Sequence, residues 1–122
     1  NIWACTENTG INRLDKKTGR FTHFIHDENK NSISNNNSNS IYEDDDHNLW
    51  IATMNGLNCY DKKNNRFTVF TSTQGLAGDY VFGILEDDKK NLWLSTNKGL
   101  SCFNRFTKSF GHWNKSHWFI GT

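Results

Sequence analysis

Apolar residues in this chain come in short bursts, five to seven positions long, separated by clusters of Asn, Asp, Gly, Lys and Ser. Within a burst, apolar and polar residues tend to alternate, as in Arg66-Phe67-Thr68-Val69-Phe70. Alternation over so few residues predicts half-buried β-strands, because successive side chains of a strand point to opposite faces. The bursts are rich in Trp, Phe, Tyr, Ile, Thr and Val, the residues that suit a pleated surface. No stretch of about 11 or more residues sustains the 3.6-residue apolar recurrence of a helix.

The bursts also repeat. Asn1-Ile2-Trp3-Ala4-Cys5-Thr6, Asn48-Leu49-Trp50-Ile51-Ala52-Thr53 and Asn91-Leu92-Trp93-Leu94-Ser95-Thr96 are three copies of one segment, their Trp residues 47 and then 43 positions apart. Gly10, Gly56 and Gly99 follow, then Asp15, Asp61 and Asn104, then Phe21, Phe67 and Phe110. A period of about 40–50 residues belongs to propeller blades and helical arrays, and the strand patterning excludes the arrays. Each full unit reads as four strands: 38–43 or 80–86, then 48–53 or 91–96, then 56–61 or 99–104, then 66–70 or 109–113. Tight turns join them, with Met54-Asn55 and Asn97-Lys98 each preceding a glycine that can take a positive φ.

The expected fold is therefore all-β: a β-propeller fragment of about three four-stranded antiparallel blades. Residues 1–25 supply the second, third and fourth strands of a partial blade, 38–71 and 80–113 are full blades, and the tail 114–122 resembles another second strand, out of step at Trp118. A closed propeller takes about 4–8 blades, so this segment does not close a ring by itself. It is expected to meet the neighbouring blades of a larger propeller, or to self-associate.

Composition adds limits. Apolar residues make up only 34% while aromatic residues reach 14%, so five Trp and nine Phe must supply much of the burial. The 14 basic and 13 acidic residues are interspersed to a net charge of +1, without the basic stripe of a nucleic-acid partner. No apolar run approaches the roughly 20 residues of a membrane helix, so no membrane contact is expected of this segment. No secretory leader is legible, which says nothing about compartment. Cys5, Cys59 and Cys102 form no CxxC pair. Cys59 and Cys102 hold the same place in successive units, too far apart for the ~7 Å limit of a disulfide, and read as small buried apolar residues.

Candidate chemistry is sparse. Glu43-Asp44-Asp45-Asp46 and Glu86-Asp87-Asp88 offer clustered oxygens of the kind calcium takes, without an EF-hand loop. Hairpin turns whose Asp side chains accept from nearby backbone N–H groups explain them better, and no metal or other cofactor is expected. Trp3, Trp50 and Trp93 repeat in register, which favours packing between blades over sugar stacking. His23, His26, His47, His112 and His117 lack ligand spacing. No nucleophile elbow or phosphate-binding loop is present, and no catalytic residue is assigned. A ligand would be expected at the end where the links between units and the second-to-third-strand turns emerge. The candidates there are Asn36, Asn37, Met54, Asn55, Asp79, Tyr80, Asn97 and Lys98, whose amides, phenol and amine could bond and stack on sugar rings.

The order acidic turn, Asn-Leu-Trp, Thr, Gly-Leu resembles the two-component regulator propeller repeat, over residues 1–113. Two departures stand out. His47 and Lys90 occupy the place before Asn where the family usually has glycine, and Cys5, Ala52 and Ser95 precede the Thr where it also favours glycine. The resemblance implies a non-catalytic, periplasmic sensor propeller of a two-component system, ahead of a membrane helix and a histidine kinase that would lie outside this chain. It also implies an oligosaccharide ligand. A fragment of a propeller polysaccharide lyase or hydrolase, or a pure protein-interaction scaffold, are the alternatives.

Overall fold

The computed structural model describes the backbone of residues 1–113 and 118–120, with side chains through residue 111. The described strands form three antiparallel sheets. The first holds β1 (Ile2–Cys5), β2 (Ile11–Leu14) and β3 (Phe21–Phe24). The second is the meander β4 (Ser38–Glu43), β5 (Leu49–Thr53), β6 (Gly56–Asp61) and β7 (Arg66–Phe70). The third continues β8 (Val81–Glu86), β9 (Asn91–Thr96), β10 (Gly99–Asn104) and β11 (Ser109–Trp113) with β12 (Trp118–Ile120). The fold is all-β and the sheets do not close into a ring. Within the tail, Trp118 lies opposite Trp113, so 118–120 add a fifth strand at the outer edge. The rest of the tail lies outside the described residues, and its likeness to a second strand is one of sequence.

The repeated motif encodes the turns. Asp44 accepts at Oδ2 from the Trp50 indole N–H at 2.8 Å, and at Oδ1 from the backbone N–H groups of Asp46 and Asn48. Asp87 does the same for Trp93 (2.8 Å), Lys89 and Asn91. The acidic turn thus seats the Trp of the following strand. At the opposite end, Thr53 and Thr96 donate to the carbonyls of Gly56 and Gly99 at 2.9 and 2.7 Å and accept from the Asn55 and Lys98 N–H groups. Each hydroxyl closes its hairpin turn, as Ser/Thr turns do.

Two glycines are required by approach as well as by φ. A Cβ on Gly10 (φ 72°) would stand 2.0 Å from the Phe24 carbonyl oxygen. One on Gly56 (φ 101°) would stand 2.5 Å from that of Phe70. Both positions let the last strand of a sheet turn back across the second hairpin toward the next sheet.

Sheets pack face to face, and the aromatic rings fill the gaps. Between the first and second lie Ile11, Ile33, Leu49, Ile51, Tyr60 and Phe67, with Trp3 and Phe24 partly buried against them. Between the second and third lie Trp50, Leu57, Phe70, Leu92, Leu94, Phe103 and Phe110. Rings of neighbouring sheets meet edge-on or tilted, Trp50 to Phe103 at 5.4 Å and Phe24 to Tyr60 at 5.1 Å, geometries that aromatic quadrupoles favour. Trp93, the third copy, is only partly buried, since it lies on the far face of the third sheet. Cys5, Cys59 and Cys102 are free thiols.

The links between sheets are built in as well. Ile33 and Leu76 are buried at 0% and 3% exposure, each plugging the gap behind its link. Asn31 both donates to the Phe67 carbonyl (2.8 Å) and accepts from its N–H (2.7 Å), capping the open edge of β7 as a further strand would. The second link, residues 71–79, is not all irregular. It contains a 3₁₀ turn, Ser72–Gln74, because Thr71 and Gln74 form a reciprocal capping box and Gly75 ends the turn at φ 113°.

Candidate binding face

The expected ligand-facing loops do gather at one end of the sheets, tied by backbone hydrogen bonds. Gly10 N–H donates to Asn36 O, Met54 N–H to Asn37 O, Gly56 N–H to Asp79 O and Asn97 N–H to Tyr80 O. Ser38, buried, joins the first two sheets: its hydroxyl donates to Gly10 O at 2.8 Å and accepts from Thr6 N–H at 3.1 Å.

Several candidate side chains are engaged in holding this end together. Asn36 Oδ1 accepts from His26 N–H (2.6 Å). Asn37 Oδ1 accepts from Asn8 N–H (2.6 Å), and its amide donates to the Met54 sulfur (3.0 Å). Asp79 accepts from the Ser72 N–H (2.7 Å) and hydroxyl. Asn97 Oδ1 accepts from Tyr80 N–H (3.3 Å). Asn55 and Lys98 are bound through backbone N–H groups, and their side chains are exposed.

Asn37, Met54 and Tyr80 line one cavity of about 170 Å³ together with Glu7, Ser38 and Asn39. Glu7 and Asn39 were not legible as candidates, and neither was Phe82, whose ring stacks on Tyr80 with centroids 4.7 Å apart. Asn39 and Phe82 occupy the same kind of place. The pairing of β4 with β5 slips between Ser38 and Ser40, and that of β8 with β9 slips between Val81 and Gly83. Each residue is the extra one in a β-bulge, a device that re-aims a side chain. Alternating patterns do not reveal a bulge, so the sequence carries no direct signal for either residue.

The acidic turn at Asp44–Asp46 is occupied from within the chain. Oxygens of Asp44, Asp45 and Asp46 lie within 4.8 Å of one another. Arg105 from the third sheet reaches all three, at 3.0, 2.7 and 3.2 Å, and comes within 3.3 Å of Glu86. The guanidinium stands where a cation would, with its side chain only 4% exposed. Hydrogen bonds from Lys90 and then Arg105 pull the Asp45 carboxyl down to about 2. Glu86 also accepts from the Tyr42 hydroxyl at 2.7 Å, and that bond, followed by burial, pushes the phenol up to about 12. Burial pushes the Cys59 thiol up to about 12 as well, leaving it protonated and unreactive at neutral pH.

Residues 32–55 and 75–98 match the two-component regulator propeller family. Those two segments are similar to repeats of that family. Its fold is similar to a solved extracellular domain from B. thetaiotaomicron described as belonging to a one-component system, with a TM-score of 0.75 and 28% identity over 90% of this chain. A second structure, described as the extracellular domain of a hybrid two-component system of that organism, matches at TM-score 0.75 and 26% identity, again over 90% of this chain. In both cases the chain spans 16% of the solved domain. A third B. thetaiotaomicron extracellular domain shares the fold at TM-score 0.58 and 20% identity, over 88% of this chain and 21% of that one. No curated protein matches the chain significantly. The two repeat matches and the extracellular-domain neighbours support a propeller segment. Among the described residues no helix is long and apolar enough to cross a membrane.

Proposed function

We propose that this segment is a non-catalytic part of the periplasmic sensor propeller of a two-component regulator, responding to an oligosaccharide. The observation that carries the reading is the family match of two successive repeats, joined to similarity with extracellular domains of one- and two-component systems over 90% of the chain. The chemistry of the acidic turn is consistent with it. The clustered carboxylates are engaged in ion pairs with Arg105 and Lys90. The ligand would enter at the end where Asn36, Asn37, Met54, Asn55, Asp79, Tyr80, Asn97 and Lys98 gather. Binding would shift the packing between subunits or propellers, biasing a two-state assembly toward an attached kinase. Isothermal titration of the intact protein against a panel of oligosaccharides tests this. A glycan bound without turnover supports it, and failure of every glycan to bind removes the oligosaccharide from the reading.

A further inference from the structure

The cavity beside β4 and the bulge of β8 have a chemistry that narrows the ligand. Tyr80 and Phe82 form a tilted ring pair, 4.7 Å between centroids at an interplanar angle of 34°. Phe82 is 47% exposed. The aromatic pair is not part of the repeat. The second unit has Asn37 and Asn39 at the corresponding places, either side of the equivalent strand start. The scaffold therefore keeps the bulge in both sheets and changes only what the bulge presents.

Next to these rings lie groups that still have bonding capacity. Among the described residues, none bonds the Glu7 carboxylate or the Tyr80 hydroxyl. Asn39 spends its amide N–H on the Val81 carbonyl at 2.7 Å, which leaves Oδ1 to accept. The lining offers acceptors, the Tyr80 hydroxyl and the Tyr80 ring, with Phe82 beside that ring, and none of its residues is cationic. At about 170 Å³ it is smaller than the roughly 300–1,000 Å³ of pockets for drug-sized ligands, so it suits one ring and not a chain.

We infer that Tyr80 and Phe82 form a stacking platform for a single neutral sugar ring, whose hydroxyls donate to Glu7 and Asn39, and that Glu7 excludes anionic sugars. The apolar C–H face of a pyranose matches an aromatic face, and its hydroxyls match the acceptors. A uronate or sulfate would bring a second negative charge beside Glu7 with no lining cation to balance it. This inference rests on the oligosaccharide reading above and names the ring class and the place.

The test is titration of the intact protein with neutral oligosaccharides and with their uronate-containing and sulfated counterparts. Tyr80→Ala and Phe82→Asn, the latter restoring the second unit's amide, are each expected to weaken the neutral ligand about tenfold or more. Tyr80→Phe keeps the ring and should stay within a few-fold, and circular dichroism checks that all variants fold. Glu7→Gln should narrow the gap between neutral and anionic ligands. A glycan whose affinity ignores both the Tyr80→Ala and Phe82→Asn changes overturns the platform while leaving the sensor reading intact. Tighter binding of the anionic counterparts overturns the charge rule, and no binding by any glycan overturns the platform and the oligosaccharide reading together.

Discussion

Arg105 Nη1 donates to Asp44 Oδ2 at 3.0 Å across the seam between the second and third sheets, with side-chain exposures of 4% and 0%. The same Asp44 oxygen holds the Trp50 indole. One carboxylate therefore seats the signature Trp of its own sheet and anchors the next sheet. Lys62, at the place in the second unit that matches Arg105, instead pairs with Glu43 of its own sheet at 2.7 Å.

Removing Arg105 strands a buried carboxylate. Arg105→Ala is expected to lower stability by about 3–5 kcal/mol, the usual cost of breaking a buried pair. Asp46→Ala removes a partner that is 66% exposed and should cost less than about 1 kcal/mol. Denaturant unfolding of the two variants checks the contrast. Equal losses would mean that burial of the Asp44 contact does not set the energy.

Gly56 and Gly99 hold equivalent places with φ of 101° and 116°, but only Gly56 is crowded. Gly99→Ala meets no atom within 4 Å and should cost only the strain of the backbone angle, about 1–3 kcal/mol. Gly56→Ala adds a collision with the Phe70 carbonyl and should cost clearly more, or prevent folding. Thermal unfolding and soluble yield compare them.

His47 (φ 66°) and Lys90 (φ 69°) stand in the left-handed region at the positions where the family usually has glycine. His47→Gly should therefore stabilise the chain by about 0.5–1 kcal/mol, by relieving left-handed strain on a residue with a Cβ. Its ring makes only an exposed contact with Glu43 at 3.3 Å, worth little. A rise in Tm is the expected result. Lys90→Gly should gain less, because it also loses the ion pair to Asp45.

Alkaline pH should weaken the fold. The Cys59 thiol and Tyr42 phenol have ordinary values of 9.0 and 10.0, and both are pushed up to about 12 in the folded chain. A raised value means the unfolded chain loses these protons first. The stabilisation is fully present below about pH 9 and drains away as pH rises toward 12. Stability measured from pH 7 to 11 should fall. Cys59→Ala, which removes one of the two groups, should shrink the slope, and a slope unchanged by it would assign the effect elsewhere.

The strands, their turns and the three-unit count were legible in the chain because they follow from local rules. Period-two alternation, Asp and Thr beside turn positions, and Gly where φ is positive depend on neighbours a few residues away. So did the packing role of Trp50, since a side chain repeated in every unit must meet the same face in every unit. The place where the loop candidates gather was legible too. Asn36, Asn37, Asp79 and Asn97 turn out to spend side-chain groups on the scaffold, whereas Glu7, Asn39 and Phe82 had no sequence signal.

What only the tertiary structure decided is which residues meet across a seam. Arg105 reaches a turn some 60 positions earlier, Asn31 caps β7 from 36 positions away, and a one-residue slip in β8 brings Phe82 out beside Tyr80. These pairings depend on how one sheet rests against the next and on where a strand's register breaks. Neither is carried by the spacing of residues along a single strand, so the sequence determined the units and the packing of the units determined the clasp and the cavity.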